Sequence, residues 1–181
     1  MRLHASPFFV VVLLAVIVGG RQAAAQQVTK PTVPGASNFA KLETTVACGG
    51  ATTPEAVPEI KKLGYASIIN LRLPSEPGAN VEGEEAAAKA AGIRFYSIPF
   101  SGQSPDPAVA DKFLATITAP GNEPAYIHCA AGNRAGAMWM IKRLAVDHWD
   151  TEKAFTEATA LGLTSPALKQ FAIDYAQSHK R

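Results

Sequence analysis

Pro124-Ala125-Tyr126-Ile127-His128-Cys129-Ala130-Ala131-Gly132-Asn133-Arg134-Ala135-Gly136 joins two structural signals around one chemical signal. The run Pro124 to Cys129 is short, apolar and β-prone, and reads as a core strand. A helix is expected from about Arg134 to Val146. Between them lies a tight turn of small residues. A helix N-terminus offers unpaired backbone N–H groups and a partial positive charge. Ala130, Ala131 and Gly132 keep the backbone approachable, so that successive amides through Asn133 can converge on one anion. Arg134 adds a planar fork that matches two phosphate oxygens. The same field stabilises a thiolate, the nucleophilic form of cysteine. Cys129 is therefore the candidate nucleophile, and Arg134 the candidate anion clamp. The loop amides form the candidate cradle, with His128 beside them. The competing reading is a buried cysteine at a strand end followed by an ordinary glycine turn.

Outward from this loop, strand and helix signals alternate. Thr44 to Cys48, Tyr65 to Leu71 and Ile93 to Phe100 read as further strands. Thr52 or Thr53 is expected to cap a helix that ends at Gly64, with Pro54 in its first turn and Glu55 closing a capping box with Thr52. A second helix carries Glu82, Glu84 and Glu85 early and Lys89 late, the order the helix dipole favours. Asp106-Pro107, Asp150 and Ser165-Pro166 open others. Strands separated by helices imply a three-layer α/β fold, with a mainly parallel central sheet flanked by helices. Ligands of such sheets bind beyond the carboxyl ends of the strands, which is where Cys129 falls.

The N-terminus has a different character. Arg2 and His4 precede an unbroken apolar run of eleven residues, Phe8 to Val18, followed by Gly19-Gly20 and Ala23-Ala24-Ala25. The run is shorter than the ~20 residues of a spanning helix. The order is that of a secretory signal peptide over residues 1–25. Export to the periplasm or the medium is expected, with no stable membrane anchor after cleavage. Residues 26–41, polar and proline-containing, read as a flexible lead-in, and 42–181 as the folded domain. Without the two leader arginines, 15 basic side chains face 15 acidic ones, and no clustered basic patch points to nucleic acid. His4, His128, His148 and His179 show no metal-ligand spacing, and no cofactor motif appears. Two cysteines, Cys48 and Cys129, are too few for a disulfide framework. Cys48 reads as a small buried hydrophobe, or as a resolving partner for Cys129 under oxidation. Arg72 and Glu76 are expected to pair within a loop, with Arg72 alternatively facing the anion. Trp139, Met138 and Met140 read as core.

HCAAGNRAG resembles the signature loop of the tyrosine and dual-specificity phosphatase superfamily, and more closely its bacterial beta-lactamase hydrolase-like branch. The resemblance runs from Thr44 to Tyr175 through CGGATTPEAVPEIKKLGYASIINLR, EGEEAAAKAAGIRFYSIPF and PAYIHC. It implies hydrolysis of a phosphorylated protein or a small phosphoester. Cys129 would attack phosphorus and carry a phosphocysteine, Arg134 and the loop amides would hold the phosphoryl oxygens, and His128 would help to tune the thiolate.

The loop departs from that signature. The superfamily has five residues between Cys and Arg and this chain has four. Ala135 stands where a Ser or Thr usually helps to discharge the intermediate. The region that carries the family's acid, about thirty residues before the cysteine, is Ile98 to Gln103 and holds none; Asp106 is the nearest candidate, although Asp before Pro107 is also a good helix cap. Without an acid, aryl phosphates should react better than alkyl phosphates. The four-residue spacing also resembles rhodanese-type sulfurtransferases, in which the cysteine would carry a persulfide. A third alternative is a non-catalytic domain that binds an anion or a partner.

Overall fold

The computed structural model describes residues 27–43 and 45–179. The expected leader, residues 1–25, lies outside them.

Six strands form one sheet: β1 (Val28–Thr29), β2 (Ala40–Leu42), β3 (Val46–Gly49), β4 (Ser67–Asn70), β5 (Arg94–Ser97) and β6 (Ala125–His128). Their order is β1-β2-β3-β6-β4-β5. The four strands β3, β6, β4 and β5 are parallel, as the alternation of strands and helices predicts. Each parallel step needs a crossover, supplied by α1 (Val57–Lys62), α2 (Val81–Ala91) and α3 (Pro107–Ile117). Then follow α4 (Asn133–Ala145), α5 (Thr151–Ala160) and α6 (Pro166–Ser178). Because β6 is inserted between β3 and β4, the Cys129 loop leaves the sheet in the middle of the crevice rather than at an edge.

Of the expected flexible lead-in, residues 27–41 are described, and they join the sheet. β1 and β2 extend the sheet through antiparallel pairing, Val28 opposite Leu42 and Ala40 opposite Cys48. Val33, Ala36 and Phe39 between them are buried. These apolar residues are isolated in a polar, proline-containing stretch, so no run marks the strands, and pairing with β3 supplies what local propensity lacks.

Strand alternation separates two cores. Val46, Cys48, Ile69, Ile127 and Cys129 face α3–α6, around the buried Phe113 and Trp139. Ala47, Ile68 and Tyr126 face α1 and α2, around Ile60 and Ala88. Helix starts follow local chemistry. Asn80, Asp106, Asp150 and Ser165 each accept a first-turn N–H through their side chains. The expected Thr52–Glu55 capping box does not form. Thr53 occupies the cap position of a short 3-10 turn, Pro54–Ala56, without a side-chain bond. The Thr52 hydroxyl is drawn into the core, 2.8 Å from the Tyr126 hydroxyl and 3.1 Å from the Gly50 carbonyl. A buried phenol needs a partner, and that demand outweighs the cap. Among the described residues, no helix is long and apolar enough to cross a membrane.

Candidate active site

Cys129 follows the last residue of β6 and is buried, 1% exposed. Its own N–H donates to the Gly49 carbonyl at 3.2 Å, which fixes where the loop leaves the sheet. Two loop carbonyls are tied outward. Ala130 O accepts from Ala51 N at 3.0 Å, and Ala131 O accepts from Asn38 Nδ2 at 3.3 Å. A trans peptide directs its C=O and N–H to opposite sides. Both bonds therefore turn the following amides, those of Ala131 and Gly132, inward. The second of these is seen on the thiol: Gly132 N donates to Cys129 Sγ at 3.1 Å. Gly132 makes the turn at φ +103, a conformation open to glycine. It packs against Gly162, where an added Cβ would lie 3.5–3.6 Å from the Gly132 backbone. α4 then starts at Asn133 and directs its N-terminus at the loop.

Arg134 is held by its far edge. Nη1 donates to Glu76 Oε1 at 2.5 Å, to Phe100 O at 2.9 Å and to Leu71 O at 3.2 Å; Nη2 donates to Glu76 Oε2 at 2.8 Å. Its Nε–H, beside the second Nη2 hydrogen, has no oxygen acceptor among the described residues. That is the edge a phosphate would take in a two-point bond. Burial opposes the guanidinium charge, but the Glu76 carboxylate and the nearby Cys129 sulfur outweigh it and raise the Arg134 pKa above its ordinary value. In return the Arg134 bond, opposed by partial burial and helped by the Leu73 N–H, brings the Glu76 pKa down to about 2. Glu76 is thus a permanent anion at neutral pH and no proton donor.

The sequence predicted Glu76 as a partner for Arg72, and that contact exists at 3.4 Å. The stronger Glu76–Arg134 pair spans 58 positions and has no local sequence signal. Arg72 does not face the anion: it is buried and donates to Pro77 O at 2.6 Å and Gly78 O at 2.9 Å, pinning the loop that presents Glu76.

The other expected site residues fall as follows. Ala130, Ala131 and Gly132 form the loop. The Asn133 side chain does not point at the anion; its Oδ1 accepts from Thr164 N, Thr164 Oγ1 and Ser165 N at 2.7–3.0 Å, tying the α5–α6 linker to the start of α4. His128 is fully buried on the α2 face of the sheet, opposite Cys129, and cannot touch substrate. Alternation along β6 explains this, since neighbours point to opposite faces. Asp106 is exposed and caps α3, accepting from Ala108 N at 2.9 Å. The segment that would carry an acid lies over Arg134, where a Cβ on Gly102 would sit 3.5 Å from Arg134 Cγ. Ala135 is buried in the first turn of α4, with no hydroxyl to offer. On the other side of the loop a groove of about 560 Å³ is lined by Lys30, Asn38, Ala131, Asn133 and Thr164. Both thiols are free. Cys48 lies on β3 opposite Ile127, and burial, followed by the proximity of Cys129 and Glu157, pushes its pKa well up.

The fold recurs in known proteins. The chain is 31% identical over 104 residues to the beta-lactamase hydrolase-like protein of Xylella fastidiosa, a match over 55% of this chain and 23% of that protein. It thus spans less than a quarter of that relative. A DUF442 protein from Shewanella putrefaciens superposes with a TM-score of 0.67 at 18% identity, over 81% of this chain and 96% of that one. The core catalytic domain of the PP-IP phosphatase SIW14 from S. cerevisiae does so with a TM-score of 0.64 at 23% identity, over 80% and 88%. With the family model matching residues 22–173, the chain belongs to the family described as DSP-PTPase phosphatase fused to NAD+ kinase.

Proposed function

We propose that the protein is a cysteine-dependent phosphoester hydrolase acting on a phosphorylated protein or a small phosphoester. The observation that carries this reading is the convergence of three elements: the Gly132 N–H on Cys129 Sγ, the N-terminus of α4, and the open Nε edge of Arg134. Together they form a site for an anion directly over a nucleophile. The thiolate attacks phosphorus, the P–O bond to the leaving group breaks, and the phosphoryl group passes to sulfur. Loop amides and Arg134 hold the equatorial oxygens, where charge is shared in the transition state. Water then attacks the phosphocysteine, releasing inorganic phosphate and restoring the thiolate.

No carboxylic acid is committed to the leaving group. Glu76 is held ionised by Arg134, and Asp106 is engaged as a cap. We therefore read the enzyme as selective for leaving groups that depart without a proton, such as phenolates. We read the apolar run Phe8 to Val18 as part of a secretory leader and propose on that ground that the enzyme acts outside the cytoplasm.

Hydrolysis of p-nitrophenyl phosphate in reductant, without added metal, tests the reading beside Cys129→Ser and Arg134→Ala. Turnover by the native chain, abolished by Cys129→Ser, is expected. A folded protein that neither turns over nor binds phosphate or vanadate would contradict it and favour sulfur transfer or a non-catalytic role.

A further inference from the structure

Behind the loop, on the opposite face of the sheet, lies a second cluster of ionisable groups. Glu84 of α2 and His128 of β6 are both fully buried. Glu84 Oε2 is 2.9 Å from His128 Nε2, off the line of a directed hydrogen bond, and accepts from Asn70 Nδ2 at 3.2 Å. Glu84 Oε1 and His128 Nδ1 have no hydrogen-bond partner among the described residues. The imidazole is stacked on the Tyr126 ring, 5.5 Å between centroids and 9° between planes. Asn70 lies opposite His128 in the β4–β6 register, and its Oδ1 accepts from Arg72 N.

Packing alone does not call for a carboxylate here. Glu84 shares its stripe of α2 with Ala88, one turn on, where a methyl group fills the same layer. Desolvating a carboxylate costs several kcal/mol unless a cation or donors compensate. Groups that break the local rule in this way concentrate where function needs them. From that face His128 adjoins the reactive loop directly, since its peptide bond leads into Cys129.

We propose that Glu84 is a positioning residue for Cys129. Its carboxyl group, 2.9 Å from His128 Nε2, holds the ring in its stack on Tyr126. It thereby sets the geometry and field of the strand end from which the thiol projects. This rests on reading Cys129 as the nucleophile, but it can be tested without phosphatase activity.

The test is a double-mutant cycle read by the rate at which iodoacetamide alkylates Cys129, followed by mass spectrometry at pH 7. Glu84→Gln is expected to slow alkylation about tenfold, the low end of the effect of losing an interaction with a charged group, and His128→Asn by a similar factor. The double variant should be no slower than His128→Asn, because the effect runs through the ring. Glu84→Met, which fills the volume without charge, replaces Gln if that variant does not fold. In hydrolysis the loss should fall on kcat with KM unchanged, since the phosphate cradle is intact. Wild-type alkylation in Glu84→Gln, or additive losses in the double variant, would overturn the proposal. Normal alkylation cycles without any hydrolysis would instead count against the phosphatase reading alone.

Discussion

Glu76 grips Arg134 through both carboxylate oxygens, at 2.5 and 2.8 Å, and so turns the opposite edge of the guanidinium toward Cys129. The pair joins the loop after β4 to the first turn of α4 and is the main constraint on Arg134, the proposed anion clamp. Glu76→Gln keeps the shape and removes the charge. A hydrogen bond to a charged group contributes ~1.5–3 kcal/mol, so kcat/KM should fall by at least about tenfold. Steady-state kinetics on an aryl phosphate checks this.

The same pair sets a pH dependence of stability. The Glu76 pKa is depressed from an ordinary 4.5 to about 2. A depressed carboxyl contributes stability that is fully present above its unfolded value and lost as pH falls through the folded one. The stability difference between the native chain and Glu76→Gln should hold from pH 7 to about 5 and shrink between about 4.5 and 2. Denaturant titrations across that window measure it; a difference that stays constant down to pH 2 would contradict it.

Asp106 separates cap from acid. Asp106→Asn retains a good cap and removes the proton donor. Hydrolysis of both aryl and alkyl phosphates should be unchanged within about twofold, with aryl esters the faster substrates throughout. Loss of alkyl phosphate hydrolysis alone would make Asp106 the acid.

Much of this was legible in the sequence. Strands β3 to β6 are apolar runs between glycine, proline and capping residues, so periodicity found them, and the loop between β6 and α4 announced itself by small residues followed by Arg134. β1 and β2 were hidden because each is too short to show a pattern and exists by pairing with its neighbour. The grip of Glu76 on Arg134 was hidden for a related reason: nothing at position 76 points to position 134 until the sheet brings them together. His128 was misplaced because nearness in sequence to Cys129 is distance across the sheet, by alternation.

Away from the site, Arg143 offers a test of the scaffold. It is buried, pairs with Glu157 at 2.6 Å and Asp147 at 2.9 Å, and lies over the Trp149 ring. Glu157 also accepts from the Trp139 indole at 2.6 Å. Arg143→Ala leaves the part-buried Glu157 without a counter-charge, a loss at or below the low end of the about 3–5 kcal/mol for a fully buried pair. Chemical denaturation should show it as an earlier midpoint.

Gly132 makes the loop's turn at φ +103, a conformation open to glycine but not to a residue with a side chain. Gly132→Ala forces a side chain into a left-handed conformation against Gly162, at a cost of about 1–3 kcal/mol. The turn that directs the 132 amide at sulfur should reopen, with phosphate affinity lost along with turnover. Phosphate or vanadate titration, followed by calorimetry, reads the two effects separately.

The central claim is that phosphorus passes through Cys129. Rapid acid quench of the reaction with p-nitrophenyl phosphate, followed by peptide mass spectrometry, tests it most directly. Because Ala135 offers no hydroxyl to help water discharge the intermediate, a phosphoryl adduct on the Cys129 peptide should accumulate during turnover and be absent from Cys129→Ser. Turnover with no adduct at Cys129, or with one on another residue, would contradict the account.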